Sequence, residues 1–312
     1  MSLPARVLQL APLGQLADRI LSEHYGAVAL WKQEANWINR HGASVEVVVT
    51  SVRHGCDAST MSQLPALRGI CSWGVGYDTI DMAVAHQRAI EISNTPGVLD
   101  DCVADMAWAL MLDVSRRVAE GDRYVRAGKW VRLGEFPLGI RISGKRIGLL
   151  GMGRIGRAIA KRGLGFDMQV RYHTRTPKAD LPYEYASSLL ELAQWADYLV
   201  VACVGGPSTQ HLVDRAVLEA LGPQGILVNI ARGNVVDQDA LILALQTGVI
   251  GAAGLDVLQG EPGAPQALLE LQNVVLTPHM GSATHDTRRD MEQCVIDNLD
   301  SFLRTGKMLN LV

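Results

Sequence analysis

Along the first hundred residues, short aliphatic and β-branched runs alternate with segments of helical spacing. Arg6–Leu10, Val45–Val49 and Arg68–Ser72 predict strands; Gly14–His24 and Thr79–His86 predict helices. Such alternation predicts a parallel sheet covered by helices. The turn chemistry of Asn94-Thr95-Pro96-Gly97 interrupts it and marks a candidate domain boundary. The strongest helix of the chain follows. Val103, Met106, Ala107, Leu110, Met111 and Val114 keep i, i+3, i+4, i+7 spacing, with Asp100 or Asp101 placed to cap the start. A long helix after a hinge-like turn suits a connector packed between two lobes.

From Arg146 the alternation restarts more regularly. Strands are predicted at Arg146–Leu150, Met168–Tyr172, Tyr198–Cys203, Gly225–Ile230, Gly251–Leu255 and Asn273–Thr277. Helices are predicted between them, at Ser188–Ala196, Asp214–Leu221 and Asp237–Thr247 among others. Six nearly all-apolar strands match a dinucleotide-binding sheet whose two faces are both covered. The last segment, Thr284–Leu303, is amphipathic through Met291, Val295, Leu299 and Phe302. It is expected to cross back to the first lobe, making that lobe discontinuous in sequence.

Composition narrows the class. The chain has 312 residues, 48% hydrophobic and 20% charged, which fits a globular α/β protein of two domains and excludes a disordered or fibrous one. A net charge of −3 and the lack of a basic block argue against a nucleic-acid partner. No apolar run approaches the length of a membrane helix, and the N-terminal stretch does not read as a secretion signal. Five dispersed cysteines with no CxxC pair predict a reducing, cytoplasmic location without disulfides. The histidines show no metal-ligand spacing, so no metal site is expected.

The first candidate chemistry is Gly151-Met152-Gly153-Arg154-Ile155-Gly156, running from a predicted strand into a predicted helix. Gly151 permits the tight turn, Gly153 lets the backbone approach a pyrophosphate, and Gly156 lets the helix pack on the strand. The helix N-terminus then offers N–H groups to the anion. At the end of the next strand an NAD site would place an acid. Here Tyr172-His173-Thr174-Arg175-Thr176-Pro177-Lys178 carries none. A guanidinium binds a 2′-phosphate that a carboxylate would repel. NADPH is therefore the expected cofactor, with NADH usable, Arg175 the main determinant, and Thr174 and Thr176 as hydroxyl donors.

Three more segments close predicted strands: Val228-Asn229-Ile230-Ala231-Arg232-Gly233, then Gly254-Leu255-Asp256-Val257 running to Glu261-Pro262, then Thr277-Pro278-His279-Met280-Gly281-Ser282. With Gly74-Val75-Gly76-Tyr77-Asp78, Asn94-Thr95-Pro96 and the glycine turn, they make the chain resemble a D-isomer-specific 2-hydroxyacid dehydrogenase over nearly its whole length. The Arg175 strand end, Gly128-Lys129-Trp130 and Phe136-Pro137-Leu138 are most similar to the NADPH-dependent glyoxylate/hydroxypyruvate reductase branch, which includes hydroxyphenylpyruvate reductases.

The resemblance implies a Rossmann-type doubly wound sheet over residues 98–284 and a flavodoxin-like substrate-binding domain over 1–97 with 285–312. It implies reduction of a small 2-oxo acid (glyoxylate, hydroxypyruvate or related) to the D-2-hydroxy acid. His279 would donate the proton, since imidazolium donates near neutral pH. Glu261 would orient the ring and stabilise its charged form. Arg232 would polarise the carbonyl and hold the carboxylate through its planar fork. The Val75 and Gly76 amides would bind the carboxylate's other face. The implied cofactor set is the glycine turn with Arg154 and Ile155, then Thr174–Thr176, Cys203, Val204, Ile230, Ala231, Arg232, Asp256, His279 and Gly281. Asp256 is similar to the residue facing the nicotinamide carboxamide, although a carboxylate there also suits closing a turn.

The run Cys203-Val204-Gly205-Gly206-Pro207-Ser208 departs from the family's usual proline–leucine–threonine pattern, which leaves its cofactor contacts open. Trp73, Leu99 and Met280 are candidates to shape the substrate pocket, and Trp73 suits a core position equally well. A homodimer joined through the Rossmann domain is expected, with Gly121–Ile142 as contact arm. The competing class is a dinucleotide-sensing corepressor, which resembles this family and retains the same triad. No regulatory domain is expected after Val312, which disfavours a phosphoglycerate dehydrogenase. Formate dehydrogenases resemble this set with Gln where Glu261 stands.

Overall fold

The computed structural model describes residues 6–312; the first five residues of the segment read for a secretion signal lie outside them. The chain forms two compact units, one running up to Leu99 and resuming at Ser282–Val312, the other Asp100–Gly281.

The first unit holds five parallel strands: β1 (Val7–Gln9), β2 (Val28–Ala29), β3 (Val47–Ser51), β4 (Gly69–Trp73) and β5 (Glu91–Ser93), in the order β2-β1-β3-β4-β5. This is the flavodoxin-like order. The two-residue side-chain period explains why these strands read as continuous apolar runs. Leu8, Val48, Ile70 and Ile92 enter one core, while Val7, Val47, Val49 and Cys71 enter the other. The second core is closed by Val295, Ile296, Leu299 and Phe302 of the helix His285–Thr305, whose first turn is capped by Thr284. Strands β2 and β5, of two and three residues, are too short for a periodic signal and were not predicted.

The second unit holds β6 (Arg146–Leu150), β7 (Gln169–His173), β8 (Glu184–Tyr185), β9 (Tyr198–Val201), β10 (Ile226–Asn229), β11 (Ala252–Leu255) and β12 (Val274–Leu276). Their order is β12-β11-β10-β9-β6-β7-β8, all parallel. Read outward from β6 this is the doubly wound dinucleotide-binding arrangement, and the order reverses between β6 and β9. Six strands were expected. The seventh, β8, is a two-residue edge strand without apolar alternation. The predicted strand Tyr198–Cys203 ends at Val201, so Ala202 and Cys203 are already loop.

Helix ends follow local chemistry: Ser188, Asp214 and Asp237 each accept a hydrogen bond from the N–H three residues on. Asp100 and Asp101 differ from expectation. Both lie inside the first turn of the helix Asp100–Arg116, where negative charge favours the helix dipole without capping it. Residues 128–144 carry no helix or strand and expose Trp130, Val131, Leu133 and Leu138. No described helix is long and apolar enough to cross a membrane.

Candidate active site

Ligands of open parallel α/β sheets bind beyond the carboxyl ends of the strands, at the point where strand order reverses. At that edge of the second unit, buried polar side chains fold each loop. After β10, Asn229 is 1% exposed and spans its own turn. Its Oδ1 accepts from the Ala231 N–H at 3.0 Å, and its Nδ2 donates to the Arg232 carbonyl at 2.9 Å. Arg232 Nη1 donates to the Ala231 carbonyl at 2.8 Å. The next residue, Gly233, lies against the loop after β11: a Cβ there would sit 2.0 Å from the Leu258 carbonyl carbon. That loop provides the Leu258 N–H, which donates to Glu261 Oε1 at 2.8 Å.

The other oxygen of Glu261 is 2.6 Å from His279 Nδ1. Each carboxylate oxygen thus has its own partner, and Glu261 holds the Nδ1 edge of the imidazole. His279 sits at φ +52°, a left-handed conformation uncommon outside glycine. Its neighbours hold it there. Asp256, 2% exposed at the end of β11, accepts from Thr277 Oγ1 at 2.6 Å, Met280 N–H at 2.8 Å and Gly281 N–H at 2.8 Å. The His279 N–H donates to the Asp256 carbonyl at 2.8 Å. A strained backbone persists where its surroundings over-determine it, and such positions cluster at functional sites. Asp256 thus anchors this loop.

On the other side of the sheet reversal, β6 runs into the glycine turn. Gly151 has φ +101°, and a Cβ on it would lie 2.6 Å from the Cys203 nitrogen, so the turn admits no side chain. A Cβ at Gly156 would meet the Gly151 carbonyl oxygen at 2.3 Å, whereas one at Gly153 would meet nothing within 4 Å. The helix Arg154–Leu164 has no side-chain cap. Open space in front of uncapped helix N–H groups fits a pyrophosphate. Ile230 and Ala231 are buried at the end of β10, and Val204 is exposed. Cys203 is half-buried, and burial pushes its thiol up to about 11, so it presents a neutral S–H.

At the end of β7, Arg175 is exposed, and among the described residues no carboxylate pairs with it. Asp180, the acid nearest in sequence, is taken by Arg157 at 2.8 Å. The Thr174 hydroxyl donates to the Thr176 carbonyl at 2.8 Å, closing the turn that presents Arg175.

Val75 and Gly76 belong to the first unit, in the loop after β4. Thr95 brackets Gly74, accepting from its N–H at 3.1 Å and donating its own N–H to its carbonyl at 3.0 Å. Asn94 Nδ2 donates to the Val75 carbonyl at 2.8 Å. Asn94, Thr95, Asn229, Gly233 and Thr277 thus support the predicted residues without having been assigned a role from sequence. Each lay inside a quoted motif; which segment it ties was not readable. Among the described residues no group of three His, Cys, Asp or Glu could hold a metal ion.

A nicotinamide-dinucleotide fold with an arginine, a carboxylate and a histidine on its loops defines a class of dehydrogenase, and comparison with known proteins agrees. Residues 108–281 match the model of the D-isomer specific 2-hydroxyacid dehydrogenase, NAD binding domain. The chain is 43% identical over 305 residues to glyoxylate/hydroxypyruvate reductase A of Arabidopsis thaliana, covering 97% of each chain. It is 41% identical to hydroxyphenylpyruvate reductase of Plectranthus scutellarioides, again over 97% of each. Among solved structures it is similar to NADPH-dependent glyoxylate/hydroxypyruvate reductase from Sinorhizobium meliloti in complex with NADP and malonate. That match has a TM-score of 0.91, 38% identity, and coverage of 99% of this chain and 97% of that one. The chain belongs to the D-isomer specific 2-hydroxyacid dehydrogenase family.

Proposed function

We propose that the protein is an NADPH-preferring reductase that converts a small 2-oxo acid, of the glyoxylate and hydroxypyruvate class, to the D-2-hydroxy acid. The observation that carries this reading is the His279–Glu261 contact of 2.6 Å on loops at the ends of the strands of the same sheet whose glycine turn is shaped for a pyrophosphate. A dihydronicotinamide dinucleotide with its pyrophosphate held at the Gly151–Gly156 turn would supply the hydride for the carbonyl carbon. The remaining work falls to the chain. With the Glu261 carboxylate accepting from Nδ1, His279 turns Nε2 to the substrate and protonates the oxygen as it becomes an alkoxide. Glu261 balances the imidazolium charge and holds the ring. Arg232 polarises the carbonyl and pairs with the substrate carboxylate through its fork. The Val75 and Gly76 amides, in a loop held by Asn94 and Thr95, are the proposed carboxylate donors of the first unit. Asp256 acts on the nicotinamide end by fixing Met280 and Gly281.

NADPH preference rests on Arg175, unopposed by any acid at the end of β7. The dispersed cysteines, with no CxxC pair, support a reducing, cytoplasmic setting. The exposed apolar side chains of residues 130–140 support a homodimer in which a second copy covers this arm. No observation favours the corepressor reading. The test is loss of NADPH absorbance with glyoxylate, hydroxypyruvate and a panel of larger 2-oxo acids. Turnover with at least one supports the reading, and silence across the panel with folded, dinucleotide-binding protein overturns it.

A further inference from the structure

The run Cys203–Ser208 departs from the family pattern at two adjacent glycines, and the structure gives them opposite reasons. Gly206 has φ +140°, while a Cβ on it would meet nothing within 4 Å. Its requirement is conformational. Gly205 lies outside the left-handed region, so no positive φ calls for glycine there, yet a Cβ would sit 2.4 Å from Arg232 Cγ and 3.3 Å from Arg232 Cβ. These atoms are at the root of the side chain, where a small torsion of the tip gives no relief. Arg232 is itself fixed at that root, because Asn229 spans its turn and Gly233 is pressed on the Leu258 carbonyl. With the backbone held, a new methyl group at 205 is relieved only by moving the arginine to another rotamer or by pushing back the loop.

We propose that Gly205 is a positioning residue for Arg232: by lacking a side chain it lets the loop after β9 seat the arginine stem and aim the guanidinium. The departure from the family pattern then serves substrate handling at Arg232 rather than the cofactor. This rests on the functional reading of Arg232 given above.

The experiment compares Gly205→Ala, Gly206→Ala, Arg232→Ala and the double variant Gly205→Ala/Arg232→Ala in the full chain. Gly205→Ala is expected to lower kcat/KM for the 2-oxo acid by about 10²-fold, the order expected for a displacement of about 1 Å. The NADPH dissociation constant should stay within about 2-fold. In the Arg232→Ala background, measured by single turnover at high enzyme concentration, adding Gly205→Ala should change the rate by less than about 2-fold, because the two act through one contact. Melting gives a readout independent of activity. Most of any loss of Tm in Gly205→Ala should be recovered in the double variant, which lacks the colliding Cγ and keeps only the 3.3 Å contact with Cβ, whereas the Gly206→Ala loss should not depend on Arg232. Gly205→Ala with wild-type kcat/KM, or losses that multiply in the double variant, overturns the proposal. Arg232→Ala with wild-type turnover instead sinks the functional reading and removes the catalytic consequence of the contact.

Discussion

The two sheets are built alike at one edge and differently at the other. At the edge where strands begin, each is tied by an arginine–carboxylate cluster. Glu46 receives Arg6 at 2.7 Å and Arg68 at 2.6 Å in the first unit. Asp197 receives Arg146 through Nη2 at 2.9 Å and its backbone N–H at 2.8 Å in the second. Where strands end, the first sheet presents a glycine loop held from outside by Asn94 and Thr95, offering backbone amides. The second presents charged side chains on loops tied by the buried Asn229 and Asp256. Parallel strands thus separate two tasks in space: stability is set at one edge and chemistry at the other, so each edge can be altered alone.

The largest effect is expected at the chemical edge. His279→Ala removes the proton donor and should lower kcat by about 10²–10⁴-fold. The Tm and the dinucleotide dissociation constant should change little, since the ring is partly exposed and its fixed partner Glu261 keeps the Leu258 N–H. Turnover within a few-fold of wild type would remove His279 from the mechanism.

An intermediate effect is expected at the adenosine end of the same edge. Thr174→Asp with Arg175→Ala adds an acceptor at the end of β7 and removes the neighbouring guanidinium, which favours a ribose hydroxyl and repels a 2′-phosphate. The ratio of kcat/KM for NADPH over NADH should fall by about 10- to 10²-fold, the worth of one or two charge-assisted hydrogen bonds. The loss should appear mainly in the cofactor KM, with kcat nearly retained. An unchanged ratio would place the determinant elsewhere.

This division also explains what was legible in the sequence. Strands β6, β9, β10 and β11 announced themselves because both their faces are buried, and the partly buried β7 and β12 through their place in the regular alternation with helices, whereas β8, a two-residue edge strand, left no pattern. The residues that act on substrate were legible because arginine, glutamate and histidine at strand ends are chemically conspicuous. Their supports were not. Asp256 reaches Thr277, Met280 and Gly281 across 21–25 residues, and Gly205 meets Arg232 across a whole βα unit. Such pairings follow from strand order, which no local period encodes. Thr174 shows the same limit at short range: that its hydroxyl closes a turn onto the Thr176 carbonyl was not readable from the sequence.

The smallest effect is expected at the opposite edge, and it sharpens the comparison by touching stability alone. The Arg6 and Arg68 guanidinium groups hold the Glu46 carboxyl well below the usual carboxylate range, at about 2. A depressed folded value means that the ionised form is favoured in the native state. Its contribution is fully present above the unfolded value of about 4.5 and is lost as pH falls toward about 2. The whole shift would be worth about 3 kcal/mol, but Arg6 and Arg68 are 54% and 61% exposed and screened by water, so about 1 kcal/mol is expected. Glu46→Gln should therefore lower the urea midpoint at pH 7, and the gap from wild type should narrow between about pH 4.5 and pH 3. Per folded molecule, kcat/KM should be unchanged, because β1, β3 and β4 begin at this edge and the Val75–Gly76 loop leaves the other. A Glu46→Gln variant with a wild-type midpoint at pH 7 would show that the cluster contributes nothing net. A fall in kcat/KM without unfolding would show that the two edges are coupled through the strands.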